Sequence, residues 1–370
     1  MATFDPRAIL AGRPTARPSV GTVVTIAVSS VCLVVALVVM LAGGASGIGT
    51  SVVLALVPLP ALLAGILALD RLEPEPPDAL VTAFGWGAGV SVLVALLVNT
   101  AGTELLWTPL LGAEAGMLAT VTVGAPVVEE LAKGAVLVGL LWFRRQELNG
   151  PTDGIIYGSM VALGFATVEN ISYYAFAPPG ALAATFVLRG VVSPLLHPLC
   201  TSLIGIGVAT AALRPRGRRV APVVAGFAGA VGLHAVWNAA ASFGLGGLAW
   251  GYVVGLAVLV GLAVVLHRDR RRIVGLVRTY LPPYAAVGVV TDRDVVMLST
   301  LGGRRRAREQ VRARRGRGAA RAMADFQQAA TELAMLHRRH ALGLVEGPEF
   351  EARREPLVIL MAHARVAFGG

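Results

Sequence analysis

Gly124-Ala-Pro-Val-Val-Glu-Glu-Leu-Ala-Lys-Gly134 sets two adjacent carboxylates, Glu129 and Glu130, and one ammonium, Lys133, inside an apolar run. The run extends from Leu118 to Phe143 and stops at Arg144-Arg145, which reads as a membrane-spanning helix. Each charge at mid-helix costs roughly 2.5–3.5 kcal/mol on a translocon-type scale, so three cost close to roughly 10 kcal/mol before pairing. Glu129 and Lys133 are four residues apart and share a helix face, whereas Glu130 points about 100° away. An ion pair between Glu129 and Lys133 that holds a bundle together accounts for two of the three charges. The second carboxylate needs another account.

Composition places this helix among others. The 370 residues are 55% hydrophobic and only 15% charged, with a mean hydropathy of +0.71. Soluble domains carry about 25% charged residues, so this is a membrane composition. The apolar runs end near residue 267 and charge collects after it. The expectation is an all-α, polytopic membrane helix bundle of about eight spans with a cytoplasmic helical tail. Residues 1–19 form a basic N-terminal segment, 20–267 the membrane domain, and 268–370 an Arg-rich tail. Cys32 and Cys200 both fall in apolar spans and suit neither a disulfide framework nor a metal cluster.

The spans read in order as 20–41, 48–69, 79–99, 118–143, 154–176, 182–213, 220–243 and 247–266. A proline-rich interfacial loop, Asp70-Arg-Leu-Glu-Pro-Glu-Pro-Pro77, follows the second, and an outer loop to about Gly116 follows the third. The sixth, with Ser193-Pro194 and His197-Pro198, is long enough to be broken there. Loops near 44–47, 100–115, 177–181 and 244–246 contain no Lys or Arg, while the N-terminus, Arg144-Arg145, Arg214–Arg219 and the tail hold nearly all of it. The positive-inside rule then puts both termini in the cytoplasm of a multi-pass cell-membrane protein. In the tail, Arg304–Arg321 carries nine arginines and one glutamate. Contact with anionic lipid head groups explains it more economically than nucleic acid. Residues 325–344 and 348–367 read as an amphipathic helical hairpin.

Depth connects the polar residues of different spans. Measured from the basic loops at 1.5 Å per residue, Glu130, Glu169, His197 and His234 all lie roughly 21–25 Å in, a layer about 4 Å thick. Each has a bland account: a lone His hydrogen-bonded in packing, Glu169 beside Asn170 bridging helices, Trp237 packing at an interface. Four such accidents at one depth are a weaker explanation than a polar site for water activation, metal binding or proton transfer.

These residues resemble a family. Glu129-Glu130-x-x-Lys133, Phe165-x-x-x-Glu169-Asn170, the isolated His197, and His234-x-x-Trp237-Asn238 are similar to the successive motifs of PrsW-type intramembrane proteases. That family is related to the type II CAAX prenyl endopeptidases and abortive-infection-type membrane proteases. Asp70-Arg71 with Glu73-Pro-Glu-Pro resembles its early loop. The resemblance covers residues 20–266 and leaves out the tail. It implies hydrolysis of peptide bonds in a membrane-bound protein substrate such as an anti-sigma factor. The catalytic candidates are Glu129, Glu130, Glu169, His197, His234 and Asn238, supported by Lys133, Phe165, Asn170 and Trp237. No His-Glu-x-x-His occurs, which excludes a zincin-type site. Zn2+ or another divalent metal would take His197, His234 and Glu169; without metal, a glutamate activates water. Because Glu130 lacks the Lys133 partner on the wheel, it is the expected base, with Glu129 in support. The competing readings are a proton- or ion-coupled transporter, whose customary inverted repeat is not evident here, and a non-catalytic scaffold.

Overall fold

The computed structural model describes residues 4–12, 18–69 and 74–369, with the side chain of 245 left out. Asp70–Glu73, half of the loop singled out above, and the basic residues Arg13 and Arg17 lie outside the described residues. Every regular element among the described residues is helical. The membrane helices are α1 (Val20–Ala42), α2 (Ile48–Leu69), α3 (Pro77–Leu111), α4 (113–143), α5 (Pro151–Ala175), α6 (Leu182–Ala212), α7 (Val220–Ser242) and α8 (Gly244–Tyr280). Seven of these eight are long and apolar enough to cross a membrane; the eighth, α4, carries the buried Glu129, Glu130 and Lys133.

The organising element is α5. It is the least apolar of the seven, yet nearly all of its residues are buried. Small residues make this central position attainable. A Cβ on Gly154 would lie 2.2 Å from the Gly205 carbonyl oxygen of α6, and one on Gly205 would lie 1.8 Å from that of Gly154. On the opposite side, Gly164 would meet the Phe84 carbonyl of α3 at 2.0 Å. Helices in lipid gain by such backbone approach, because apolar side chains gain little from leaving hydrocarbon. Gly205→Val therefore forces α5 and α6 apart, at a cost of about 1–3 kcal/mol or more. The check is thermal unfolding in detergent, where a variant as stable as wild type would contradict the packing.

Two sequence expectations need correction. The outer loop expected over 100–115 is not a loop: α3 continues to Leu111, the chain turns at Gly112 (φ 81°), and α4 starts at Ala113. Thr103-Glu-Leu-Leu-Trp-Thr-Pro-Leu-Leu111 is apolar enough to prolong the helix, and Thr103 Oγ1 meets Thr120 Oγ1 at 2.8 Å across the hairpin. Nor does the last span end at 266. It runs unbroken to Tyr280, carrying His267-Arg-Asp-Arg-Arg-Arg272 out of the membrane on helix. There Asp269 accepts from Thr152 Oγ1 at 2.7 Å and pairs with Arg272 at 2.7 Å, tying α8 to the start of α5. The break in α6 falls at Ser193–Leu195, after a π-helical stretch from Val187 to Val192. Another of the π-helical stretches, Thr120–Gly124, immediately precedes the Glu129 segment.

After α8 come α9 (Asp292–Leu298), α10 (Leu301–Ala341) and α11 (Gly347–Phe368). They share a separate hydrophobic core with the end of α8, against which Phe4, Ile9 and Leu10 also pack. The end of α10 and α11 are antiparallel, with His340 stacked on Phe350 at one end and Phe326 against Phe368 at the other. Arg339 fastens this unit to the basic face of the bundle, donating to the carbonyls of Arg145 and Leu148 at 2.7 and 2.8 Å. Between the two lies a cavity of about 520 Å3 lined by Glu75, Glu147, Glu332 and Arg353 among others. Burial pushes the Glu332 carboxyl up to about 8, aided by Asp5 and opposed by Arg353 and Gln328. Its folded value exceeds the ordinary carboxylate value, so its contribution is complete at low pH and is lost as pH rises toward about 8. Glu332→Gln is expected to flatten the fall of the unfolding temperature across that window; an unchanged pH profile would show that Glu332 is not responsible.

Candidate active site

The site forms where α4, α5, α6 and α7 face one another. Lys133, wholly buried, is its hub. Its Nζ donates to Glu130 Oε1 at 3.0 Å, to Glu129 Oε2 at 3.4 Å and to His197 Nδ1 at 3.0 Å, and sits 3.8 Å from the centre of the Phe165 ring. An ammonium can only donate. His197 Nδ1 is therefore the acceptor, which leaves the proton on Nε2 to be donated to Glu169 Oε2 at 2.9 Å. His234 approaches from α7 with Nδ1 3.1 Å from Glu130 Oε1 and Nε2 3.9 Å from Glu129 Oε2. The two imidazoles meet edge to face, 5.1 Å between centres.

The two glutamates face different surroundings. Glu130 is fully buried and its oxygens are occupied by Lys133, His234 and Thr201, whose Oγ1 donates at 2.8 Å. Glu129 instead lines a cavity of about 90 Å3, together with Glu169, His197, His234, Trp237 and Asn238. The helical-wheel argument that left Glu130 without a partner thus fails here: i,i+3 neighbours are as close as i,i+4, and Lys133 lies nearer to Glu130.

Glu169 is also placed differently from the expected metal ligand. Its Oε2 receives both His197 and the Arg189 guanidinium, and Arg189 Nε further donates to Asn170 Oδ1 at 2.7 Å. Arg189 stacks over Tyr173, 3.7 Å from the ring centre. Asn238 is anchored by an Nδ2 bond to the Val121 carbonyl at 2.9 Å, on the π-helical stretch of α4. Trp237 packs edge-on against Tyr252. Arg189 and Thr201 were missed from the sequence. Arg189 offered a signal, a lone arginine in the apolar run before Ser193-Pro194; Thr201 offered none, since threonines in such helices commonly bond to their own backbone.

The three carboxylates Glu129, Glu130 and Glu169 face two cations, Lys133 and Arg189. With neutral imidazoles one negative charge is left uncompensated in a buried site, which a bound cation or a proton would balance. Glu129, His197 and His234 can each offer one ligand atom within 4.8 Å of the others. Two His and one Glu are the protein ligands of one class of catalytic zinc site. Glu130 behind His234 supplies the carboxylate partner that orients ligating imidazoles. The residues present therefore fit a divalent metal, with Glu129 in the place given above to Glu169, provided that His197 Nε2 gives up the proton it shares with Glu169.

Residues 75–266 match the family model described as PrsW family intramembrane metalloprotease. That stretch contains every residue of the site. The chain belongs to the PrsW family. Among relatives, it is 30% identical to Protease PrsW of Clostridioides difficile (strain 630) over 152 residues, which is 41% of this chain and 62% of that protein. It is 28% identical to Protease PrsW of Geobacillus kaustophilus (strain HTA426) over 199 residues, 54% of this chain and 81% of that one. The first match thus spans less than two thirds of the relative's length. No solved structure matches. The tail with its separate core lies outside the part shared with the PrsW family model.

Proposed function

We propose that this PrsW family member is an intramembrane endopeptidase that hydrolyses peptide bonds of membrane-bound protein substrates, a regulator such as an anti-sigma factor being the type expected. The observation that carries the reading is the convergence of Glu129, His197 and His234 on a small polar cavity inside the helix bundle. Both termini lie on the cytoplasmic side of the cell membrane in this reading, because the basic loops share the face to which the tail is fastened.

Glu129 has the free approach to the cavity that a general base needs, and takes the proton of the attacking water. A divalent metal held by Glu129, His197 and His234 would supply Lewis acidity and a more acidic water at the same place. Glu130 holds His234 in position, and Lys133 compensates the paired glutamates. Asn238 Nδ2 has a second N–H beyond the one given to Val121, which suits it to support the oxyanion. Glu169, held by Arg189, accepts the His197 Nε2–H hydrogen bond and orients that imidazole, and the proton that Glu129 takes from water is the one returned to the leaving amine.

The test is comparative membrane proteomics of cells carrying wild type or Glu129→Gln, seeking a membrane protein that loses its cleaved form. Reconstituted into proteoliposomes, the wild type should cleave that substrate, and chelation followed by re-addition of zinc decides between the two chemistries. Uncoupled or coupled ion flux without any cleavage would sink the protease reading.

A further inference from the structure

The arginine run 304–321 does not lie on one straight helix. Gly316 takes φ 84°, ψ −171°, a backbone conformation open to glycine, and α10 folds back on itself there. The reversal is fixed by Arg304, only 3% exposed. Its guanidinium donates to the Leu298 carbonyl at 2.9 Å and to Thr331 Oγ1 at 2.9 Å, while its own carbonyl accepts from Gln327 Nε2 at 3.0 Å. Residues well before and well after Gly316 are thus held side by side. Arg304 is consumed by the fold; the others are not.

The turn sets Arg305, Arg308 and Arg312 of the first arm opposite Arg317 and Arg321 of the second, around an open cleft of about 700 Å3. Glu309 is the one acidic residue lining it, and Arg305 takes that carboxylate at 2.7 Å. Among the described residues Arg308, Arg312 and Arg317 form no ion pair. Charges that were only solvated would gain by spreading over the helix surface, since like charges held together repel. Here a glycine break gathers them on one concave side. Guanidinium forks match phosphate oxygens two at a time, and several forks at one place favour more than one phosphate.

We propose that the cleft at Gly316 binds an anion bearing two or more closely spaced phosphates, drawn either from a lipid head group or from a soluble polyphosphate. The cleft lies outside residues 75–266, so the inference stands whether or not the chain cleaves peptides.

The full chain in phosphatidylcholine nanodiscs is titrated with tripolyphosphate in a calorimeter. Replacing Arg308, Arg312 and Arg317 together by Gln should weaken binding at least about tenfold, given the strength of charge-assisted bonds. A control that removes equal charge outside the cleft, Arg306, Arg314 and Arg338 to Gln, should weaken it no more than about twofold. All six are surface residues, so neither variant should disturb folding. Absence of saturable binding to wild type, or equal losses in both triple variants, overturns the site. Cardiolipin added to the discs separates the sources: competition with tripolyphosphate assigns the cleft to a lipid head group, and an unchanged affinity assigns it to a soluble polyphosphate.

Discussion

Glu129→Gln is expected to remove peptide hydrolysis, by on the order of 10²–10⁴-fold, and to leave the chain folded. Gln keeps the shape of the side chain and takes away its ability to hold a proton. Glu129 has little structural work to lose: its contact with Lys133 is the longer of the two, 3.4 Å against 3.0 Å, and it faces the cavity. Glu130→Gln should behave in the opposite way. That carboxylate is fully enclosed and satisfies Lys133, His234 and Thr201 at once, so an amide in its place points a donor at donors. Its loss should appear as a lower unfolding temperature, with partial turnover in the molecules that fold. The measurement is single-turnover cleavage of a reconstituted substrate beside thermal unfolding of the same preparations. A Glu130→Gln variant that is dead but as stable as wild type, with Glu129→Gln active, reverses the roles.

What the sequence disclosed, and what it withheld, follows from the kind of information each feature needs. Glu129, Glu130, Lys133, Glu169, His197 and His234 stand out because an ionisable group in an apolar run is costly wherever it points. Their common depth needs only the helical rise. Helix rotation needs the neighbours, and there the reading failed: whether Glu129 or Glu130 faces the cavity depends on how α6 and α7 pack, with Thr201 and His234 closing over Glu130. The expected metal set differs from the cluster in the structure for the same reason, because Arg189 pairs with Glu169 from a π-helical segment whose register cannot be read from spacing. Among helices, the break in α6 was legible from Ser193-Pro194. The continuation of α3 to Leu111 was not, since it depends on the close approach of Gly116 to Thr108 across the hairpin, which spacing does not show. In the tail, charge was legible and shape was not: nine arginines in one run suggest a single basic helix, and only the conformation of Gly316 folds it into a cleft.

Lys133→Met should destabilise the protein more than any other single change in the site. The side chain is of similar length and stays apolar, so packing against Phe165 is largely kept while the charge is lost. What remains is two adjacent carboxylates, 6% and 0% exposed, and an imidazole whose Nδ1 has lost its donor. Removing one partner of a buried ionic group typically costs 3–5 kcal/mol, about, because the remaining charge has neither water nor a counter-ion. Arg189 does not substitute, since it is held by Glu169, Asn170 and Tyr173. The unfolding temperature in detergent should therefore fall by at least about 5 °C. A second substitution separates charge from packing. In Lys133→Met with Glu130→Gln, one of the stranded carboxylates is gone, and the double variant should lose less than the sum of the two single losses. Strict additivity would mean that Lys133 acts independently of Glu130, through Glu129 or His197, and a Lys133→Met protein as stable as wild type would mean that the glutamates are already neutralised by something other than Lys133.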